Sequence, residues 1–263
     1  MSCRRNSSRG FSALVYLSLI LWSTFYCTAA ALPFLCGMVF LRGSGRTRFC
    51  RFLILYYGRT MIYIAMRPFV RVTLESEAGS AVTEPGIVVF NHRSASDPFL
   101  VAALKESVIQ LVNGWPMRLP FFGFWARQGG YIDVTLTNRE EQLKKMREIL
   151  GQGSLIVAFP EGTRSGSRKM NQFRSGIFFA ARELGCPIYP CCIVGNENFP
   201  DRGFVFHRRC VVRIRRLRAI FPAEAAAPDN VYLLKKLVRD RLQAAMDQLE
   251  PPDGAGSEKH AVK

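Results

Sequence analysis

The chain has 263 residues, which is enough for one α/β domain with an additional segment. Its 36 Lys and Arg against 20 Asp and Glu give a formal net charge of +16, and ten Arg precede the first acidic residue, Glu75. Because these Arg flank apolar segments rather than a polar face, the pattern favours the anionic surface of a membrane and argues against nucleic acid.

An uncharged segment, residues 11–41, dominates the N-terminal region. As a helix it would be about 45 Å long, which exceeds the ~30 Å of hydrocarbon that one span crosses. We expect Pro33 and Gly37 to interrupt this helix. Since Arg residues flank the segment on both sides, the positive-inside rule assigns no orientation. The pattern favours a kinked or re-entrant helical pair with both ends on the cytoplasmic side.

Other interpretations of this N-terminal arm, residues 1–69, stay open. Its first part resembles a signal peptide, with basic residues, an apolar run and the small residues 29–31 as a cleavage site. A single transmembrane anchor is the second interpretation. Residues 49–70 mix apolar side chains with three Arg, which is typical of an in-plane helix whose Arg side chains reach the headgroups. An amphipathic helix packed on the following domain is the alternative for that part.

Between residues 70 and 250 short apolar runs alternate with helical periodicity, which is typical of an α/β domain. The predicted strands are 70–74, 87–90, 108–112, 155–159, 188–194 and 211–217. The predicted helices begin near Pro98, Pro120, Asn138, Phe173 and Asp229. Asn138 and Glu141 form a capping box, and Gly151 ends that helix. The last helix covers residues 231–249, and residues 251–263 are predicted to be a disordered tail.

Residues 91–97, Asn-His-Arg-Ser-Ala-Ser-Asp, contain a candidate acid–base pair. His92 follows the apolar strand 87–90, and Asp97-Pro98 has the composition of a helix start. Both side chains therefore fall in a strand-to-helix loop, where α/β folds place active sites. A neutral imidazole accepts a proton from a hydroxyl at neutral pH, and a carboxylate on its other nitrogen fixes the tautomer. The alternative is a loop His with a local hydrogen bond and Asp97 as an N-cap.

The sequence predicts neither a nucleophilic side chain nor a metal site. Ser94 and Ser96 lie between the His and the Asp, but no Ser stands in a G-x-S-x-G elbow, so the attacking hydroxyl is expected to belong to a substrate. The eight Cys contain no C-x-x-C pair. His207 and Cys210 have no further ligands nearby, so no metal is predicted. The cysteines are expected to be reduced and mostly buried, as in a cytoplasmic domain.

Residues 159–165, Phe-Pro-Glu-Gly-Thr-Arg-Ser, follow a strand in the same way. Arg164 can hold a phosphate through two parallel hydrogen bonds, and Gly162 lets backbone N–H groups approach an anion. Arg174, at the start of the next predicted helix, could add a second anion contact. A surface turn with an internal ion pair between Glu161 and Arg164 is the alternative.

Six Arg between residues 208 and 218 overlap the strand predicted at 211–217. A solvated strand face is the first interpretation of this run. Docking of an anionic acyl donor or of lipid headgroups is the alternative.

Together the two motifs resemble the glycerophospholipid acyltransferase family, the 1-acylglycerol-3-phosphate acyltransferases and their relatives, over residues 70–250. The family's first motif matches Asn91, His92 and Asp97, and its Phe-Pro-Glu-Gly-Thr-Arg-Ser motif matches residues 159–165 without a change. A hydrophobic strand with an embedded Pro matches residues 188–190. The resemblance implies an α/β fold, a mixed sheet flanked by helices, preceded by an N-terminal apolar helical arm that docks on a membrane.

The resemblance also implies transfer of a fatty acyl group from a thioester of coenzyme A or acyl carrier protein to the hydroxyl of a lysophospholipid, above all 1-acylglycerol-3-phosphate, giving phosphatidic acid. His92 would be the base and Asp97 its partner, and backbone N–H groups near Gly162 would stabilise the oxyanion. The resemblance implies Glu161, Gly162, Thr163 and Arg164 in acceptor binding. With Asn91 and Arg174, these residues make up the predicted substrate-binding set. No cofactor or metal is implied; the partners are membrane lipids, the lysolipid and the acyl donor, at the cytoplasmic face of the cell membrane.

One block departs from the family pattern. Relatives often read Gly-x-x-Phe-Ile-Asp-Arg, whose Arg contacts the acceptor phosphate, whereas residues 129–134 end in Val134. Either Arg164, Arg139 or Arg127 supplies that contact, or the acceptor is not a phosphate monoester. The alternatives are an O-acyltransferase for a lysolipid such as lyso-ornithine lipid, a membrane lipid-binding relative without catalysis, and a thioesterase.

Overall fold

The computed structural model describes residues 2–135, 138–227 and 230–250, with the backbone alone for residues 2–8, 115, 116, 120 and 121. The helices are α1 (Ser2–Phe40), α2 (Gly43–Thr60), α3 (Asp97–Leu100), α4 (Gly114–Met117), α5 (Pro120–Gln128), α6 (Arg139–Gly151), α7 (Gly176–Leu184), α8 (Pro222–Ala226) and α9 (Val231–Leu249). The strands are β1 (Val70–Ser76), β2 (Ile87–Phe90), β3 (Val108–Val112), β4 (Ile132–Asp133), β5 (Leu155–Ala158), β6 (Ile188–Val194) and β7 (Cys210–Arg216). A π-helical turn, Met61–Ala65, extends α2, and a 3-10 turn, Val101–Ala103, extends α3.

The first two helices form an antiparallel pair. The Tyr26 hydroxyl of α1 donates a hydrogen bond to the Leu53 carbonyl of α2 at 2.8 Å, and the Ser18 hydroxyl donates to the Ala65 carbonyl at 3.0 Å. The chain reverses at the two residues 41 and 42 that separate the helices. Residues Arg9–Phe40 of α1 are long and apolar enough to cross a membrane, by length and composition.

The interruption that we expected inside α1 does not occur. The helix continues through Pro33, and the reversal comes after Phe40. Gly37 is a contact point between helices rather than a break, because a Cβ there would lie 2.5 Å from the Phe49 ring of α2. The helical pair expected within residues 11–41 is therefore wrong, and the pair that the structure shows is formed by α1 and α2.

The seven strands form one mixed sheet in the order β1-β7-β6-β2-β5-β3-β4. Neighbouring strands are parallel except for the antiparallel pair β6 and β7. The central strands β2, β5 and β6 are buried along their whole length, as expected for parallel strands covered on both faces. Their carboxyl ends lie at the same edge of the sheet, so the loops that follow them can meet there.

Alternate residues of each central strand face two different apolar cores. Ile87 and Val89 of β2 pack into a core that includes buried residues of α6, α7 and α9. Val88 and Phe90 face the other side, where the π-helical turn and the residues around α3 cover the sheet. The sheet is thus flanked by helices on both faces, which confirms the predicted fold class.

Most predicted elements have bounds within one or two residues of the observed ones. The main exception is α7, which begins at Gly176 and not near Phe173, because the preceding backbone bonds to a neighbouring loop: the Arg174 N–H donates to the Pro160 carbonyl at 2.8 Å. Strand β4, of two residues, and the short helices α4 and α8 were not predicted. The positions predicted for a helix start at Asp229 and for a tail at 251–263 lie outside the described residues.

Candidate active site

The loop after β2 is fastened to the sheet by Asn91. Its side-chain amide donates to the Ile193 carbonyl at 2.9 Å, and its Oδ1 accepts from the Ile193 N–H at 2.7 Å. Asn91 is fully buried and does not line the cleft described below. Asn91 therefore anchors the end of β2 to β6, immediately before His92.

His92 and Asp97 form a hydrogen-bonded pair at the start of α3. His92 Nδ1 lies 2.7 Å from Asp97 Oδ2, which also accepts from the N–H groups of Arg93 at 2.6 Å and Ser94 at 2.8 Å. Asp97 is completely buried, whereas the His92 side chain is 17% exposed and lines the cleft. With Nδ1–H donated to the carboxylate, Nε2 is the nitrogen left to accept a proton. The pair is therefore arranged as a base with its orienting carboxylate.

The second oxygen of this carboxylate is held by a residue that the sequence did not reveal. Asn196, in the loop after β6, donates from Nδ2 to Asp97 Oδ1 at 2.5 Å and to Ser96 Oγ at 3.0 Å. Asn196 is fully buried, so no water competes for these contacts. The only available signal was its position just beyond a fully apolar strand, at the sheet edge where the His92 loop was also expected.

Neither Ser between His92 and Asp97 is placed as a nucleophile. The Ser94 hydroxyl donates to the Pro200 carbonyl at 2.9 Å and is buried, and the Ser96 hydroxyl accepts from Asn196. Neither residue lines the cleft. An attacking hydroxyl must come from elsewhere.

Glu161 connects the loop of residues 159–165 to the loop that carries His92. Its Oε1 accepts from the His92 backbone N–H at 2.6 Å, and its Oε2 accepts from the Asn171 N–H at 2.8 Å. The Ser165 N–H in turn donates to the His92 carbonyl at 2.7 Å. Burial raises the pKa of Glu161 above its ordinary value, and the two N–H groups oppose that shift. Because both of its oxygens are engaged, Glu161 holds the two loops together.

Gly162 occupies a position that only glycine fills without strain. Its φ is +69°, and a Cβ there would lie 2.8 Å from Nε of Arg174, whose guanidinium group covers it. The Gly162 N–H donates to the Phe159 carbonyl at 3.0 Å, so it is engaged in the turn and does not point at an oxyanion. The glycine lets Arg174 lie directly on the loop that carries Arg164.

A cleft of about 1500 Å³ opens above His92. Thr163, predicted in substrate binding, lines it beside four arginines: Arg139, Arg164, Arg174 and Arg202. Within the described part of the chain no Asp or Glu lines this cleft. Val134 also lines it, whereas Arg127 does not and instead donates to the Met117 carbonyl at 2.7 Å. The cleft is therefore strongly cationic next to a candidate base.

Comparison with known proteins identifies the segment that carries His92 and most of the residues lining this cleft. The family model described as Acyltransferase matches residues 71–194, which include β2, both motifs and β6. Residues 71–194 form a domain of the Acyltransferase family.

Relatives and a solved structure extend the similarity beyond the acyltransferase domain. A 1-acyl-sn-glycerol-3-phosphate acyltransferase of Pseudomonas aeruginosa is 24% identical over 247 residues, which cover 92% of this chain and 90% of the relative. A chloroplastic 1-acyl-sn-glycerol-3-phosphate acyltransferase of Arabidopsis thaliana is 26% identical over 162 residues, 60% of this chain and 44% of the relative. The chain spans less than half the length of this relative and of similar proteins from Chlamydomonas reinhardtii and Brassica napus.

The fold has a counterpart in a crystal structure from Thermotoga maritima, that of a 1-acyl-sn-glycerophosphate acyltransferase. The TM-score is 0.75, the sequences are 19% identical, and the match covers 96% of this chain and all of the other. The likeness at this identity is one of fold, and it includes the helices that precede the acyltransferase domain.

An apolar cavity of about 590 Å³ adjoins the cationic cleft of the acyltransferase domain. It lies among α1, α2, α5 and β3. The residues that line both spaces are Pro98, Phe99, Gln110, Leu119 and Phe122. A flexible apolar chain in this cavity could therefore continue into the cleft above His92.

The Arg-rich run on β7 stabilises the domain instead of lining the cleft. Arg215 bonds to Glu75 of β1 at 2.9 Å, Arg213 donates to the Leu249 carbonyl, and Arg216 forms two bonds to Glu106 at 2.9 and 2.8 Å. These contacts favour the interpretation of a partly solvated strand face.

Proposed function

We propose that the chain is a membrane-associated acyltransferase. It transfers a fatty acyl group from the thioester of coenzyme A or acyl carrier protein to the free hydroxyl of a lysophospholipid, with 1-acylglycerol-3-phosphate as acceptor and phosphatidic acid as product. The observation that carries the proposal is the His92–Asp97 pair, with 2.7 Å between Nδ1 and Oδ2, at the floor of a cleft lined by four arginines.

The reaction proceeds in one step with the acceptor hydroxyl as nucleophile. His92 Nε2 takes the hydroxyl proton while the oxygen attacks the thioester carbonyl, and Asp97 stabilises the imidazolium that forms. The carbon–sulfur bond then breaks, and the thiolate receives the proton from the imidazolium. The chemistry requires no metal and no bound cofactor, since the acyl donor is itself a substrate.

The charge of the cleft suits two anionic substrates. A phosphate monoester and the phosphates of a pantetheine-bearing donor are both attracted by guanidinium groups, which bind them through paired hydrogen bonds. Without a carboxylate lining the cleft in the described residues, the four arginines are free to neutralise such ligands. Arg164 and Arg174 are the first candidates because they flank the loop beside His92.

The apolar cavity provides room for a fatty acyl chain next to the reacting centre. Burial of each methylene group in such a cavity is worth about 0.8 kcal/mol. Because the cavity shares five lining residues with the cleft, an acyl chain inside it would leave its thioester close to His92.

Membrane association is the role that we assign to the N-terminal helical pair. Ile20, Leu21 and Phe25 of α1 are each more than half exposed, so the helix presents an apolar face without a protein partner among the described residues. A lipid surface covers such a face and delivers the lysolipid. The cysteines whose side chains are described are all free thiols, in keeping with the cytoplasmic side of the membrane.

The experiment is acyl transfer by the full-length, detergent-solubilised protein from labelled acyl-coenzyme A to a panel of lysolipids. Wild-type protein is expected to acylate lysophosphatidic acid, and His92→Ala to lower kcat by at least about a hundredfold with an unchanged melting temperature. Full activity in a folded His92→Ala protein would remove His92 as the base. Release of free fatty acid without acceptor would indicate a thioesterase instead.

A second acceptor class is favoured by Val134, which cannot hold a phosphate although it lines the cleft. An O-acyltransferase for a lysolipid without a phosphate monoester, such as lyso-ornithine lipid, would need no cation at that position. In the same assay, transfer to such lipids in preference to lysophosphatidic acid would select this function and keep the role of His92.

A further inference from the structure

The cleft lacks a cation at Val134, and the structure offers a replacement from a different part of the chain. Arg202 lines the same cleft but belongs to the loop between β6 and β7, about 70 residues later in the sequence. No motif in the sequence points to it. Hydrogen bonds connect the loop of Arg202 to the loop of Ser165, and that loop to the loop of His92.

Arg202 is tied to the backbone beside His92. Its Nη2 donates to the Ser165 carbonyl at 2.5 Å and lies 3.4 Å from the Arg164 carbonyl. The Ser165 N–H donates to the His92 carbonyl at 2.7 Å, so a single residue separates the two contacts. Gly166 makes the approach possible, because a Cβ at this residue would lie 2.6 Å from Nε of Arg202.

The loop that carries Arg202 is held in place from two sides. The Ser94 hydroxyl donates to the Pro200 carbonyl at 2.9 Å, which attaches the start of the loop to the His92 motif. The Tyr16 hydroxyl of α1 donates to the Phe204 carbonyl at 2.6 Å, which attaches its tip to the helical arm. Arg202 is thus presented by an ordered loop and not by a free side chain on the surface.

The charge of Arg202 and of its neighbour Arg164 is not neutralised by the protein. Within residues 2–135, 138–227 and 230–250 neither side chain forms an ion pair, and Nη1 of Arg164 is buried without a hydrogen-bond partner. The Phe204 ring lies 4.9 Å from the Arg164 guanidinium carbon and shields it from one side. Two guanidinium groups without an ion-pair partner line the same cleft, and together they match the two negative charges of a phosphate monoester.

The other two arginines of the cleft are placed differently. Arg139 stacks on the Phe179 ring of α7, with its guanidinium carbon 3.2 Å from the ring centroid. Arg174 lies over Gly162, at the beginning of the loop whose end contacts Arg202. These two residues remain for the second anionic substrate, the acyl donor.

We propose that Arg202 is an acceptor-binding residue that holds the phosphate monoester of the lysolipid together with Arg164. Arg202 supplies the positive charge that an Arg often provides in relatives at the position of Val134. This inference rests on the proposed acyl transfer and names the side chain that selects its acceptor. Substrates with a phosphate monoester next to the reacting hydroxyl are favoured over zwitterionic lysolipids, whose positive headgroup the two arginines repel.

The test compares the Michaelis constants of the two substrates in one assay. In Arg202→Gln, KM for lysophosphatidic acid is expected to rise about ten- to a hundredfold, while KM for acyl-coenzyme A stays within about twofold. Arg147→Gln removes one charge from an exposed position of α6 outside the cleft and controls for net charge. An unchanged KM for lysophosphatidic acid, or an equal rise for both substrates, overturns the proposal, because a mere brace of the loop would affect both.

A binding measurement separates failure of this inference from failure of the proposed function. Lysophosphatidic acid in detergent micelles is titrated calorimetrically into wild-type and Arg202→Gln protein without acyl donor. Weaker binding by the variant supports the role of Arg202 even if no acyl transfer is found, in which case only the proposed activity fails. Equal binding by both proteins overturns the role of Arg202, whatever the activity.

Discussion

Asn196 donates a hydrogen bond from Nδ2 to Oδ1 of Asp97 at 2.5 Å, while Oδ2 of the same carboxylate faces His92 Nδ1 at 2.7 Å. The contact joins the loop after β6 to the loop after β2, two parallel neighbours in the sheet. Because Asp97 is fully buried, its orientation depends entirely on such donors. The direction of the His92 ring is therefore set in part by a residue 104 positions later.

Replacing Asn196 by Ala is expected to reduce both activity and stability. The change leaves Oδ1 of a buried carboxylate without its donor, which costs about 1.5–3 kcal/mol for a charged group. We expect kcat to fall roughly tenfold or more, with little change in the KM values for either substrate. Steady-state kinetics and urea unfolding measure the two effects. A variant with full kcat would show that the N–H groups of Arg93 and Ser94 orient Asp97 sufficiently.

Glu161→Gln is expected to change how stability depends on pH. Burial raises the pKa of Glu161, so folding favours its protonated form. The stabilisation that protonated Glu161 gives to the folded protein is fully present below its ordinary pKa of 4.5. It is lost as pH rises through the higher pKa that Glu161 has in the folded protein. The free energy of unfolding of wild-type protein, relative to Glu161→Gln, should therefore decrease as pH rises from 4.5 until Glu161 is ionised. Urea titrations at several pH values measure it, and a difference that increases with pH would contradict the assignment.

Gly162→Ala is expected to weaken binding of the anionic substrates. A φ of +69° costs an L-residue about 1–2 kcal/mol, and the new Cβ would displace the Arg174 guanidinium group. We expect a lower melting temperature together with a higher KM for at least one substrate. Gly151→Ala is the matched control, because this helical glycine has no atom within 4 Å of its added Cβ and its replacement should be neutral or stabilising. Equal effects of the two changes would refute the role given to the loop.

Cys27→Phe is expected to shift the preferred acyl chain toward shorter lengths. Cys27 lines the apolar cavity from α1, and a larger ring there leaves less room for methylene groups. For each methylene group that can no longer be buried, the rate of transfer of the longer acyl chain relative to the shorter one should fall roughly fourfold, which corresponds to about 0.8 kcal/mol. Competition between acyl-coenzyme A substrates of different length measures the ratio. Cys36→Phe, at an exposed position of the same helix outside the cavity, should leave it unchanged.

Local signals along the chain were enough to predict several of the helices and strands. Strands β2 and β6 have the predicted bounds because each is a short apolar run buried on both faces. Helix α6 begins next to the predicted Asn138, whose side chain accepts from the Glu141 N–H, and α9 covers the predicted residues 231–249. The pairing of His92 with Asp97 was predictable for the same reason, since only four residues separate the two side chains along the chain.

The residues that surround this pair were not predictable in that way, because they come from distant parts of the chain. Asn196 contacts Asp97, and Arg202 contacts the Ser165 carbonyl, because β2 lies between β5 and β6 in the sheet, an order that hydrophobic periodicity does not encode. The continuous α1 and the cavity beneath it depend on packing against α2 and α5, as at Gly37 and Phe34. Local patterns specify strands and caps, whereas strand order and helix packing arise from contacts between distant residues, which here bring Arg202 to the cleft that His92 also lines.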